Sequence, residues 1–555
     1  MSLLGTPHVG RREARRARHP ADVMEAPQGQ LRHRVTRALA VSHGVLVGAI
    51  WGYLAVRGVL NFFPAYDFVS YGLPFALMRV GATTFKPFPM QLAKYEGFPP
   101  LPDWVAGALI LLTGRLSTAC GIGVLGLAVA LAGVRVLWGP GLSLRWYLTA
   151  VTALPLVVIH TNTGSVDLWA GAAVLLAFVA LTRILAGDVE RPALVCFCLG
   201  LAMAMLSKFT VWPFCVVLGA TLVSFLAYRA YRAAAHTPTR AELLLYAALT
   251  LVILTAFPVR NLAKFGNPTY PFQPPLLRQR LPGVVATAEP WLWRSNTPVY
   301  LRKSWRPRLF VESAFELTRW RTTEPLVWNP TQLFDRKSPH LRMGGWFVGT
   351  VVGMCVLLVA AAVYDPKRRP AHAVFLLMVL LLLGLTQNHE LRYWLFIPLT
   401  GLFLGVVALP SMPRVLRAGA KGYVLLVAAY VLWQTAPPPT SRFARAEEFI
   451  PVAAKRYWAT HEPWLPGSTW PCIGAMSRAL FWAGPTLREY RVQPCLPWDG
   501  RDCENPAAPP PCAPPLSVSF PIVPRANPRS DVAAPHGVEK VVRLSPQIEK
   551  LDLEH

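Results

Sequence analysis

The sequence predicts an all-α polytopic membrane protein, on three observations. Of 555 residues, 53% are apolar and only 15% carry charge, proportions foreign to soluble globular domains. Apolar runs of about 15 to 20 residues recur along the chain, close to the length at which an α-helix crosses a bilayer. The net charge of +26 sits on Arg and Lys that fall mostly between those runs, where they act as topology signals and as contacts for membrane lipids or phosphates. That distribution argues against nucleic acid as the partner, because a nucleic-acid binder gathers its cations on one face of a folded domain.

The N-terminal arm, residues 1–37, carries GRREARRARH and RHRVTR and too little apolar content to fold, so it is expected to be a disordered basic arm held in the cytoplasm. The first apolar run, Ala38 to Leu60, ends without a small-residue cleavage site and reads as a signal anchor. Further spans fall near 119–137, 146–161, 167–184, 192–207, 211–228, 243–258, 344–364, 371–386, 394–410 and 422–436, which makes eleven. The short loops this scheme places inside carry RAYRAAAHTPTR, DPKRRP and PRVLRAGAKG, whereas TNTGS and QNHELRY, placed outside, carry little positive charge. The chain therefore reads as a multi-pass membrane protein with a cytoplasmic N-terminus, an extracytoplasmic C-terminus and a transmembrane domain over residues 38–436.

Three longer segments lie on the outer side: a first loop from 61 to 118, a second from 259 to 343, and a C-terminal region from 437 to 555. The first contains FPPLPDWVAGALILLTG, whose apolar part is too short to cross a bilayer and is opened by prolines, so a helix that dips into the interface or re-enters is expected. The Pro-rich C-terminal region holds Cys472, Cys495, Cys503 and Cys512, with no CxxC pair. In an oxidising compartment two disulfides are the expected outcome, with zinc the competing reading and three pairings open.

The acids single out candidate functional residues. Outside the N-terminal arm, the first 187 residues contain only Asp67, Glu96, Asp103 and Asp167, and the topology puts all four at the outer surface. An ionised carboxylate beside hydrocarbon costs several kcal/mol unless it meets water or a partner, which makes such residues functional candidates. Asp103 and Asp167 also stand where an acid caps a helix or complements its first turn. Asp67 has a different setting, in the stretch FFPAYDFVSYGLPFALMRVG, among Phe62, Phe63, Tyr66, Phe68 and Tyr71. An acid in such semi-apolar surroundings suits proton abstraction.

The pattern Asp67, Tyr71, Leu73, Pro74, followed by YEGFPPL from Tyr95 to Leu101, resembles the first outer loop of bacterial GT-C glycosyltransferases, relatives of the protein O-mannosyltransferases and the lipid A aminoarabinose transferases. The resemblance continues through TNTGSVDLWAGAAVLL with Asp167, LGLAMAMLSKF with Lys208, FPVRNLAKFGNPTYPF with Arg260 and Asn261, and HELRYWLFIPLTGL with Arg392. It covers most of residues 39–410, and none of it extends into the C-terminal region. Two departures stand out: the tandem acid pair common in the family's first loop is a single Asp here, and Glu96 stands where many relatives have His.

The resemblance implies a GT-C-like helical bundle in a bacterial inner membrane. It implies a hexosyl- or pentosyltransferase that moves a sugar from a polyprenyl-phosphate donor to an acceptor lipid, glycan or protein on the extracytoplasmic face, with inversion. The implied roles are Asp67 as catalytic base, Glu96 and Asp167 as acceptor-site or second acids, and Lys208, Arg260 and Arg392 as cations for the donor phosphate. Tyr71, Asn261, His389, Glu390 and Tyr393 would shape the sugar site, while His160, at a span end, reads as an interface residue. No cofactor is implied. Scattered outer acids could hold a divalent ion, as in family members that use lipid pyrophosphates, but one Asp and one distant Glu make a poor hard-cation site and do not support one. A nucleotide-sugar site is not expected either, since no Gly-rich loop follows a strand. The alternative function is a lipid or solute transporter, which inverted repeats and midplane charges would favour; the sequence shows no repeat, and its ionisable residues lie at span ends.

Overall fold

The computed structural model describes residues 20–63, 67–68, 72–82, 89–139, 143–232, 240–273, 285–286, 305–317, 345–385 and 387–435, together with short strands between residues 463 and 542. The chain divides into two compact units, Met1–Trp51 and Gly52–His555. Helix α1 (Pro20–Leu60) begins well before the apolar run, so the second half of the basic arm is helical where disorder was expected.

Six helical stretches among the described residues are long and apolar enough to cross a membrane: Arg34–Leu60, Leu116–Trp138, Val166–Leu185, Phe209–Tyr231, Arg240–Phe265 and Arg414–Thr435. Each coincides with one of the eleven expected spans. The other five take different forms. The run 146–161 is broken into α6 (Leu144–Thr152) and α7 (Pro155–His160), because Pro155 has no N–H to give the helix and forces Leu154 before it to φ −103° and ψ 104°. The run 192–207 is α9 (Arg191–Met205), a 15-residue helix. The helices Val348–Tyr364 and Pro366–Gly384 form a pair bent by 106° that makes a seventh span if taken together, and Phe396–Ser411 is a shorter apolar helix.

Within the second unit α8 (Val166–Leu185), VDLWAGAAVLLAFVALTRIL, is enclosed along nearly its whole length, and the helix Phe396–Ala408 along all of it. Helix α8 is apolar all the way round, which is how a helix surrounded by other helices reads. It packs against α9, α5 (Ile122–Trp138), the Phe396–Ala408 helix and α10 (Trp212–Arg232). Small residues let these backbones approach: a Cβ on Gly200 of α9 would sit 2.8 Å from the Ala173 carbonyl oxygen of α8.

The first outer loop folds back on itself. Helix α2 (Leu73–Arg79) packs on α4 (Leu101–Thr113), with Phe62, Phe68, Leu73, Ala76, Ala106 and Ile110 buried together. Gly114 at φ 67° closes α4. The opposite side of α4 leaves Trp104, Leu111 and Leu112 exposed, so this 13-residue helix is apolar on both faces, as a helix lying in a lipid interface would be. Between α2 and α4 runs α3 (Pro89–Gly97). The second outer loop contributes the helix Arg306–Ala314 and a two-residue parallel pair, Phe272–Gln273 with Val285–Ala286.

The C-terminal region contributes four strands, Pro463–Trp464, Glu489–Val492, Leu516–Ser519 and Lys540–Val542, to one sheet. Cys472, Cys495, Cys503 and Cys512 lie outside the described residues.

Several helix ends meet at one place. Gly58 near the end of α1 lies against the Thr161 carbonyl after α7, the Gly164 amide donates to the Cys120 carbonyl ahead of α5 at 3.2 Å, and the Leu101 amide donates to the Leu206 carbonyl after α9 at 3.0 Å. This end of the molecule carries the candidate site.

Candidate functional site

Asp67 reaches the site through its neighbour. Gly164, at φ 65°, leaves room for the Phe68 ring to lie directly on the 163–165 turn, where any side chain on residue 164 would collide with it. The chain after α1 is thereby fixed against the start of α8, and Asp67 is presented there. Arg392 arrives from the opposite side of the sequence, on the 3₁₀ turn Leu391–Trp394. That turn is held rigidly: the Trp394 indole donates to the Gln387 carbonyl at 3.0 Å, the Trp346 indole to the Leu391 carbonyl at 3.2 Å, and the Ser313 hydroxyl to the His389 carbonyl at 2.7 Å.

Arg392 Nη1 donates to Asp67 Oδ2 at 2.7 Å and Nη2 donates to the Tyr393 hydroxyl at 2.9 Å. The flat guanidinium fork thus engages two groups at once, which a lysine ammonium would not do in the same geometry. The adjacent pair joins Lys208, just past α9, to Asp167 in the first turn of α8. Ser165 is the N-cap of α8, and its hydroxyl donates to Asp167 Oδ2 at 2.6 Å. Asp167 therefore does not cap the helix, although its place in the first turn still favours its charge. Tyr393 joins the two ion pairs: Lys208 Nζ lies 4.0 Å from its ring centroid and the Arg392 guanidinium carbon 4.7 Å.

Burial grades the four charges. Arg392 is 4% exposed and Asp167 3%, whereas Asp67 and Lys208 are half-buried and form the accessible edge. Burial pulls the Lys208 ammonium below its ordinary pKa, with Asp167 opposing that shift. The same holds for Lys94 on α3, lowered by burial and partly restored by the charge of Asp67. Burial pushes the Tyr393 phenol up, so it remains a neutral hydroxyl beside Arg392. Asp103 occupies the first turn of α4 and is pushed up to about 7 by burial, with Arg79 opposing.

Glu96, Arg260 and Asn261 form a second group. Arg260 Nη1 donates to the Glu96 carbonyl at 2.7 Å and to Asn261 Oδ1 at 2.6 Å, while Asn261 Nδ2 reaches the carbonyls of Gly97 and Tyr270 at 3.2 and 3.1 Å. The Glu96 carboxylate pairs with Lys264 at 3.3 Å. These contacts brace the end of α3 against α11 (Arg240–Phe265). Of the expected site residues, then, Asp67, Asp167, Lys208, Arg392 and Tyr393 come together, with His389 and Glu390 buried in the supporting turn. Glu96, Arg260 and Asn261 make their described contacts apart from them, and Tyr71 lies outside the described residues. Among the described residues, no group of three or more His, Cys, Asp and Glu could hold a metal ion.

His160 and Lys94 belong to this neighbourhood and do not stand out in the sequence. His160 ends α7, is 2% exposed and interacts electrostatically with Asp167, Arg392, Lys208 and Asp67. Its signal was the chain order: it closes a span directly before the TNTGS turn and seven residues ahead of Asp167.

No protein-family model matches the chain, and no curated protein does. Two solved structures align with it: ArnT from Cupriavidus metallidurans in the apo state, at 15% identity over 80% of this chain and 84% of that one, and the same protein bound to undecaprenyl phosphate, at 14% identity over 79% and 84%. Both superpose with a TM-score of 0.34, too loose a fit to carry residue correspondences.

Proposed function

We propose that this chain is a membrane glycosyltransferase that moves a sugar from a polyprenyl-phosphate donor to an acceptor at the extracytoplasmic face of a bacterial inner membrane. The observation that carries the reading is the Asp67–Arg392 contact at 2.7 Å, formed between residues 325 positions apart and set beside Lys208 and Asp167. Transfer from a lipid phosphate requires a base for the acceptor proton and cations for the departing phosphate, and this cluster supplies both within one partly buried place.

In the proposed displacement the acceptor oxygen or nitrogen forms a bond to the sugar's anomeric carbon as the bond from that carbon to the phosphate oxygen breaks. Configuration inverts, the acceptor proton passes to Asp67, and the lipid phosphate leaves with its negative charge. Arg392 fixes the carboxylate with one arm of its fork. Lys208, half-buried over the Tyr393 ring, stands where it can turn from Asp167 to a phosphate oxygen.

Asp67→Asn tests the reading. The substitution keeps shape and hydrogen-bonding reach but removes the proton acceptor, so release of polyprenyl phosphate from the donor in membrane vesicles should slow by at least about 100-fold. Binding of the donor should persist. Near-normal turnover in a correctly inserted variant would overturn the mechanism and favour transport.

A further inference from the structure

His160 carries a hydrogen-bonding group that nothing in the cluster uses. Its Nδ1 lies 3.0 Å from the Thr163 hydroxyl, while its Nε2 is buried with no hydrogen-bond partner among the described residues. The neighbours settle which nitrogen bears the proton. The Ser165 amide donates to the Thr163 oxygen at 3.3 Å, and an amide can only donate. If the Thr163 hydroxyl then gives its own proton to Nδ1, the hydroxyl and Nδ1 are both satisfied and the group left over is an Nε2–H. The opposite tautomer would strand both the Thr163 hydroxyl proton, on a residue 0% exposed, and a bare Nε2. A stranded buried donor or acceptor costs its full desolvation, so the first assignment holds.

The carboxylates nearby do not absorb that Nε2–H. Asp167 gives one oxygen to Lys208 and the other to Ser165, and Asp67 binds Arg392 through Oδ2. What the site lacks is an acceptor brought from outside. Two cations draw an anion to this place, and a neutral imidazole adds a third donor without adding a third positive charge to repel the first two.

We propose that His160 donates a hydrogen bond from Nε2–H to a phosphate oxygen of the lipid-linked donor, an inference that rests on the donor reading above. His160 is then a binding residue of the reaction, pre-oriented by Thr163 rather than tethered to it for stability alone. The ligand it recognises is a phosphate monoester or diester on a polyprenyl chain, met together with Arg392 and Lys208.

Asparagine and glutamine separate the two nitrogens of the ring. The side-chain amide of Asn reaches the place of Nδ1, and that of Gln the place of Nε2. The full-length protein and its His160→Asn and His160→Gln variants would be titrated in detergent with undecaprenyl monophosphate, a probe that has no sugar and so reads the phosphate contact alone. His160→Asn should keep the Thr163 bond and the wild-type melting temperature but bind at least about tenfold more weakly, the low end for a hydrogen bond to a charged group. His160→Gln should bind within about threefold of wild type, since the donor to the ligand remains. The reverse order would show that the Thr163 bond is what binding needs, equal binding by both variants that Nε2 does not meet the phosphate, and an Asn variant that fails to accumulate that Nε2 serves the fold; each would overturn the proposal. If the wild-type protein itself does not bind the probe, the donor reading falls, and the role of His160 with it.

Discussion

Arg392 and Tyr393 organise the cluster as a unit. The tyrosine uses its hydroxyl for one cation and its ring for both, and so keeps Arg392 and Lys208 close to each other against their repulsion. Tyr393→Phe removes the hydroxyl bond and keeps the ring, while Tyr393→Leu removes both. Transfer should therefore fall by about tenfold or less in the first and by clearly more in the second, in line with about 1 kcal/mol for each lost contact. Equal losses in the two variants would show that the ring does not hold the cations. At this scale the sequence was legible where a residue was anomalous: Asp67 is the single acid between Glu25 and Glu96, and that isolation marked it. Its partner was not legible, because nothing local pairs a loop acid with an arginine 325 residues later. His160 was lost for a different reason, since a histidine at the end of an apolar run looks like any interface anchor until its neighbours in space are known.

Helices α8 and α9 form the closest pairing around the site, and their fit rests on Gly200. A Cβ there would meet the Ala177 nitrogen at 2.5 Å and the Ala173 carbonyl at 2.8 Å, both backbone atoms that cannot swing aside. Gly200→Leu should thus destabilise the protein by about 1–3 kcal/mol or more, read as a lowered melting temperature in detergent, and should weaken transfer because Asp167 stands in the first turn of α8 and Lys208 just past the end of α9. An unchanged melting temperature would mean that the helices are free to part. Long apolar runs announced their helices, and six of them appear at full membrane length. The run 146–161 did not announce its break, because its apolar character continues through Pro155 while the backbone does not. Asp167 shows the same limit: a first-turn acid after Ser and Gly has the pattern of a cap, yet Ser165 takes that place and frees the carboxylate for Lys208.

For the whole molecule, the positive charges of the short loops give an orientation that can be checked directly. Reporter fusions after Arg232 and Arg368 should report cytoplasm, and fusions after Gln279 and Pro466 the outer compartment; a cytoplasmic signal at either of the last two would break the eleven-span scheme. The proposed orientation would put Asp67, Asp167, Lys208 and Arg392 on the outer side, where the proposed donor is a lipid-linked sugar. The most direct test of that claim is mass spectrometry of the lipids retained by the purified Asp67→Asn variant, which should hold its donor without consuming it. The account predicts a polyprenyl chain bearing one phosphate and one sugar, enriched over its level in the membrane extract. A retained lipid profile identical to that of the surrounding membrane would contradict it.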